Sequence, residues 1–330
     1  MTTYKEIFGK YVKNYSSDPT ADIEGQIWYN TTSGTFKSQV LAPAAWASGG
    51  NLATARRQIG GAGTQTAGLG FGGYSTGNTA ATEEYDGTSW GPGGNMGTTR
   101  RDMAGAGTQT AGLGFGGYTG APTNVTEEYD GSTWSPSGNM ATSRRSFAGC
   151  GTQTAGLAFG GATTSPGSSP TSPTNATEEY NGSTWSGGGN LSFPISSLAG
   201  AGTQTAGLAF GGFNVSSPPP TSVATTQEYD GSSWTSGGNL GTARYLLAGA
   251  GTQTAGLAFG GYTTAVTAAT EQYDGSSWTN SASLTTARSQ LAGAGIQTAG
   301  LAFGGGTPSN TAATEEFTGD TLTVKTITTS

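Results

Sequence analysis

Four adjacent pairs of carboxylates are the residues best equipped for chemistry: Glu83-Glu84, Glu127-Glu128, Glu178-Glu179 and Glu315-Glu316. Two carboxylates at the right separation can run the acid–base hydrolysis of a glycosidic bond. Neighbouring residues of a strand point to opposite faces, however, so each pair is split between two faces. A catalytic centre also needs one unique constellation, whereas these pairs recur along the chain, which makes them structural. Arginines recur in step with them, at Arg56, Arg100, Arg144, Arg244 and Arg288. The one missing arginine is replaced by Ile195, and the same copy alone has Gln227 in place of the first glutamate. Their joint loss predicts the pairs Arg56–Glu83, Arg100–Glu127, Arg144–Glu178, Arg244–Glu271 and Arg288–Glu315, each within one copy.

The remaining chemistry is mostly excluded. There is no histidine, which removes Ser–His and Cys–His nucleophile schemes and histidine-ligated copper. The single cysteine, Cys150, fills the slot of Ala62, Ala106, Ala201, Ala250 and Ala294, as a small buried residue would, and has no partner for an intrachain disulfide. No Asp-x-Asp spacing supports a calcium loop. The glycine-rich segments lack the Gly-Lys-Ser/Thr ending of a phosphate loop. No catalytic residue, metal ligand or cofactor is therefore expected. A net charge of −7, from 13 Lys+Arg against 20 Asp+Glu, disfavours a nucleic-acid surface.

What must position these residues is a repeat. An apolar run ending in Gly-Gly, as in Ala255-Gly-Leu-Ala-Phe-Gly-Gly-Tyr262, starts its glycine pair at Gly72, Gly116, Gly160, Gly211, Gly260 and Gly304. The tryptophans Trp46, Trp90, Trp134, Trp185, Trp234 and Trp278 step by the same intervals of 44, 44, 51, 49 and 44 residues. Each repeat divides into four strands: a Gly/Ala strand after the arginine, the apolar run, Thr-Glu-Glu-Tyr, and a strand carrying the Trp. Asp-Gly or Asn-Gly joins the last two in five repeats (from Asp86, Asp130, Asn181, Asp230 and Asp274), which predicts tight two-residue primed turns. A four-stranded meander repeated radially is a propeller blade.

Residues 1–40 lie outside the repeat and form a separate N-terminal domain, with residues 41–330 as the second. Tyr4, Ile7, Phe8, Tyr11, Val12 and Tyr15 share one face of a helix; an extended arm fits the same residues. Two short strands, Gly25–Asn30 and Thr35–Val40, form a hairpin. Tyr4, Ile7, Phe8, Tyr11, Trp28 and Tyr29 are the candidate anchoring residues. The first residues lack the apolar core of a secretory signal, and no apolar run approaches the length of a membrane span; a protein made in a cytoplasm without membrane insertion is expected.

Symmetry breaks where function is expected. The loops after the Gly-Gly pair are longer in repeats three and four, and carry Ser165, Pro166, Pro170 and Pro173, then Phe213, Pro218, Pro219 and Pro220. Between them Phe193, Pro194 and Ile195 replace the usual Thr-Ala-Arg. All emerge on one face of an antiparallel meander, which makes this sector the candidate partner-binding surface.

The Gly-Gly pair, the Tyr and the Trp five residues after it together resemble the Kelch repeat over about residues 41–322. The resemblance implies an all-β fold, a six-bladed Kelch-type β-propeller. The sixth repeat has Phe317 for Tyr and no following Trp. Trp46-Ala-Ser-Gly-Gly-Asn-Leu52 copies the segment that ends each repeat, so Trp46 is favoured over residues 320–327 as the strand that closes the last blade, packing on Phe317. Among propeller enzymes, a sialidase-type Asp box needs Trp five residues after Asp; here Asp86 precedes Trp90 by four.

The segment from Asp22 to Lys37, with the Thr-Gln-Thr-Ala-Gly-Leu-Ala-Phe-Gly-Gly repeats, resembles structural proteins of tailed bacteriophages, especially marine ones. That resemblance implies a non-enzymatic virion protein. Its N-terminal arm would bind other virion proteins of capsid or tail, and its loops would contact those proteins or a host surface glycan or protein; an oligomer is compatible with this. A cellular Kelch adaptor and a carbohydrate-active propeller are the alternatives. The first would need a partner domain, and the second is disfavoured by the symmetry of every acidic pair.

Overall fold

The computed structural model describes residues 12–19, 24–166, 172–214 and 221–328. Among them there is no helix. These described residues form seven four-stranded sheets and one two-stranded sheet, an all-β, β-propeller-like architecture. Two compact units result, one of residues 1–45 with 319–330, the other of residues 46–318.

In the first unit, β1 (Lys13–Tyr15) runs parallel to β2 (Ile27–Asn30), which forms an antiparallel hairpin with β3 (Thr35–Ala42). Thus Lys13–Tyr15, inside the stretch with a helical stripe, is extended. The strand Thr321–Thr326 pairs antiparallel to β3, from Lys37↔Thr326 to Ala42↔Thr321. Trp28 is fully buried, and its indole N–H donates to Asp18 Oδ1 at 3.0 Å.

The second unit holds the repeats. In the first, β5 (Gly60–Gly63), β6 (Gly68–Phe71), β7 (Thr82–Tyr85) and β8 (Trp90–Pro92) form an antiparallel meander, and the other repeats follow the same order. In the sixth, three strands (Ala292–Ile296, Ala299–Phe303, Thr314–Thr318) are completed by β4 (Ala45–Ser48), from the opposite end of the chain. Trp46 lies against Phe317 with ring centroids 5.1 Å apart, and at the same distance against Phe259 of the fifth repeat. The core is shared between neighbours: Leu69, Phe71 and Met96 pack with Met103, Tyr129 and Trp134 of the next repeat, and Leu52, Ile59 and Tyr85 pack with Leu301 and Phe303 of the sixth. The first strands crowd one another; a Cβ on Gly105 would lie 2.5 Å from the Gly61 carbonyl oxygen, so only glycine fits there.

The turns between third and fourth strands correct the primed-turn expectation. Tyr85 pairs with Trp90, leaving a four-residue loop in which Gly87 has φ of 91° and Asp86 keeps negative φ. The aspartate works through its side chain: Asp86 Oδ1 accepts from the Thr88 and Ser89 amides, both at 2.8 Å. This is an Asx loop, in which the carboxylate replaces the cross-turn carbonyl.

Candidate functional site

Each carboxylate of the four adjacent pairs has a partner within the fold. All five arginine–glutamate pairs form, at 2.5 to 3.2 Å, with every guanidinium fully buried. Burial pushes these arginines down, Arg100 to about 10, and the facing glutamate opposes the shift. The same glutamates accept the amide that precedes the repeat, as Glu83 does from Ala53 and Glu127 from Gly97, both at 2.6 Å. In repeat four Gln227 Oε1 accepts the equivalent amide, from Ser192, at 2.9 Å. With Ile195 in place of arginine, a neutral acceptor keeps the hydrogen bond without burying an unpaired charge.

The second glutamates turn to the neighbouring repeat. Tyr129 donates to Glu84 at 2.6 Å, and Tyr180 to Glu128, Tyr229 to Glu179 and Tyr273 to Glu228, each at 2.5 Å. Tyr85, in the first repeat, donates to Glu316 of the sixth. Burial and the acceptor carboxylate push these phenols up to about 12. The sixth such position holds Phe317, and the equivalent acceptor position holds Gln272, so hydroxyl and carboxylate are lost together; Gln272 donates to Ser281 instead. That double exchange is visible in the sequence and signals contact between repeats.

Four further sets of hydrogen bonds join each repeat to its neighbour, and each returns from the sixth to the first. The glutamine of each Thr-Gln-Thr donates to two carbonyls of the preceding repeat, Gln109 to Gly68 and Tyr85, and Gln65 to Gly300 and Phe317. Each indole donates to the threonine opening the preceding repeat's third strand, Trp134 to Thr82 at 2.9 Å and Trp46 to Thr270 at 3.0 Å. The second glycine of each pair donates to the next repeat, Gly73 to the Arg100 carbonyl and Gly305 to that of Arg56, both at 2.9 Å. Gly72 and Gly73 have φ of 60° and 106°, a left-handed path that favours glycine. The last set joins Gln58, Asp102, Ser146, Ser197, Leu246 and Gln290, all non-glycine residues with φ between 51° and 57°. The amide of each later member donates to the carbonyl of the one before, and Gln58 donates to Gln290, at 2.7 to 3.1 Å.

Above this last set opens a cavity of about 360 Å³. Its lining departs from the symmetry. Repeats one to three place Arg57, Arg101 and Arg145 around it, one residue before the left-handed position; the equivalents in repeats four to six are Ser196, Tyr245 and Ser289. The Arg101 guanidinium carbon lies 4.8 and 4.9 Å from the ring centroids of Tyr74 and Tyr118, and that of Arg57 lies 5.5 Å from Tyr74. Arg101 donates to Asn78 Oδ1 at 3.0 Å, and Arg145 Nε to the Thr164 carbonyl at 2.9 Å. Asp102, 8% exposed, stands among them with Oδ2 3.9 Å from Arg101 Nε. Burial pushes its carboxyl up, against the pull of Arg145 and Arg101. Arg57 Nε, Arg101 Nε and Asp102 Oδ2 are buried without a hydrogen-bond partner among the described residues. The sequence signal for this cavity is the Arg-Arg doublet of repeats one to three, of which the pairing argument used only the first member.

The expected partner surface is divided. Pro166 is exposed and lines the cavity, Ser165 and Pro173 are half-buried, and Phe213 packs tilted against Tyr245 with ring centroids 5.0 Å apart. Ile195, 2% exposed, packs with Leu191 and Leu198, with Phe193 against them, so these two serve the core; Pro194 beside them is half-buried. Pro170, Pro218, Pro219 and Pro220 lie outside the described residues. Of the anchoring residues, Tyr4, Ile7, Phe8 and Tyr11 also lie outside them; Trp28 is core, and Tyr29 packs edge-on against Phe36 at 5.1 Å. Comparison with known proteins finds no matching family model and no matching curated sequence.

Proposed function

We propose that the chain is a six-bladed Kelch-type β-propeller that acts as a non-enzymatic binding scaffold, a structural protein of a tailed-phage virion. The residues outside the propeller attach it to other virion proteins, and one loop-bearing face of the propeller makes contacts with a further virion protein or a host surface. The observation that carries this reading is the pattern of hydrogen bonds between repeats. Four sets run through all six copies and return to the first, which supports a ring of six blades with Trp46 in the last. Against that regular frame, the cavity arginines and the long loops of repeats three and four depart from symmetry together. A rigid frame carrying variable loops is the usual arrangement of a binding protein. Every acidic pair serves as ion pair, amide acceptor or tyrosine acceptor, which supports a non-catalytic role. The virion assignment rests on the resemblance of residues 22–37 and of the repeats. Electron microscopy of particles carrying a labelled chain tests it: a fixed position on capsid or tail is expected, and label free of particles overturns it. Face-on class averages of the purified chain test the blade count.

A further inference from the structure

The cavity of about 360 Å³ is built for a ligand with two kinds of group. Three guanidinium groups, from Arg57, Arg101 and Arg145, surround one carboxyl, so the lining carries net positive charge. Arginine donors bind carboxylates through charge-assisted hydrogen bonds. Among the described residues Arg57 Nε and Arg101 Nε form no hydrogen bond, a state they share with the five core arginines, and Arg101 Nε has only Asp102 Oδ2 at 3.9 Å, so the guanidinium groups keep donor capacity for an anion. Asp102 Oδ2, buried and without a hydrogen bond beyond its 3.9 Å ion pair with Arg101 Nε, is an acceptor. A bare anion fits the donors and is repelled by Asp102; a neutral polyol fits Asp102 and leaves the arginines unanswered. A ligand with a carboxylate and hydroxyl groups on one compact frame answers both. The volume lies at the small end of ligand pockets, about 300–1,000 Å³, which suits one ring.

We infer that this cavity is a binding site for a sugar acid, a hexuronic or nonulosonic acid residue, with its carboxylate on Arg57 and Arg101 and a ring hydroxyl donating to Asp102. The inference rests on the binding-scaffold reading and names what that face binds. Arg145, tied to the Thr164 carbonyl, links the cavity to the long loop of repeat three, whose Pro166 forms part of the wall.

Calorimetric titration of the full chain with glucuronate, galacturonate and N-acetylneuraminate tests it. Methyl glucoside, inorganic phosphate and a glutamate-rich peptide serve as comparison probes. At least one sugar acid is expected to bind ten-fold tighter than methyl glucoside, phosphate or the peptide. Arg57→Ser and Arg101→Ser copy Ser289 and Ser196, which occupy the same position in other repeats; each is expected to weaken the sugar acid at least ten-fold, Arg57→Ser, which breaks no ion pair, with unchanged melting, and Arg101→Ser with a lowered melting temperature because it leaves Asp102 without its ion-pair partner. Asp102→Gln copies Gln58 and Gln290, and is expected to weaken the sugar acid at least five-fold while strengthening phosphate. Sugar acids that bind no better than methyl glucoside overturn the inference. So do phosphate or the peptide binding as tightly as any sugar acid, or wild-type affinity in both arginine variants. If labelled chain still occupies a fixed place on particles while sugar acids fail to bind, the saccharide inference falls and the scaffold reading stands.

Discussion

Arg144 and Glu178 meet at 2.5 Å with the guanidinium wholly out of solvent, and repeat four does without such a pair. Removing one partner of a buried pair leaves an uncompensated charge and costs about 3–5 kcal/mol. Arg144→Ile is expected to lose about that much in urea unfolding. Adding Glu178→Gln reproduces the Ile195–Gln227 arrangement and should return most of the loss; a double variant no better than the single one would refute this account. The loop aspartates give a second prediction. The Thr88 hydroxyl, with the Ser89 and Thr88 amides, holds Asp86 down to about 2, and Asp130, Asp230 and Asp274 are held at the same value by their own loops. A carboxyl depressed on folding contributes its stability above the unfolded value of about 4, and loses it as pH falls through the folded value of about 2. Melting temperature should therefore drop between those two values of pH. Asn181 takes the same loop amides without a charge, at 3.0 and 2.9 Å. Changing all four aspartates to asparagine should flatten the acid limb of the profile.

At the level of the strand and sheet, the joint between repeats five and six lacks one connection that the other five joints have. Phe317 brings no hydroxyl and Gln272 no carboxylate. Phe317→Tyr with Gln272→Glu should restore the tyrosine–glutamate bond, with a coupling energy of about 1–3 kcal/mol in a double-mutant cycle. Zero coupling would mean that the tyrosines of the other repeats are held by packing alone. This joint also shows what could be read from the residues. The four-strand order and the arginine–glutamate pairs were legible, because glycine pairs, arginines and tryptophans keep fixed offsets and one repeat loses both members of the ion pair. Apart from the exchange of Phe317 with Gln272, contacts between repeats are hidden by the repetition itself: where six copies hold the same residue, no exchange betrays its partner. The Asp-Gly loops differ from the expected primed turns because the dipeptide rule weighs only backbone φ, whereas here the carboxylate closes the loop. Ile195 departs from the repeat pattern, which marks it as a candidate contact residue, but in the structure that departure is a change of core filling.

For the molecule as a whole, the fourth strand of the sixth sheet is the element on which the ring reading depends. Deleting residues 41–50 removes Trp46, its hydrogen bond to Thr270 and its packing on Phe317 and Phe259. A truncated tryptophan in a core costs about 3–5 kcal/mol by itself, and the deletion also exposes a sheet edge. Loss of cooperative thermal unfolding is expected; an unchanged melting curve would overturn the role of this strand. The candidate cavity was legible only in part, since the Arg-Arg doublets stand in the sequence but their convergence with Asp102 depends on the fold. The pairing of β3 with Thr321–Thr326 has a mechanical meaning. Lys37 faces Thr326, so the upstream end of one strand and the downstream end of the other lie at the same end of the ladder. Tension applied there peels the strands apart one rung at a time, instead of shearing all rungs together. The pair is thus a weak link in series with whatever holds the chain at either side, and it gives way under load before a sheared joint of equal length would.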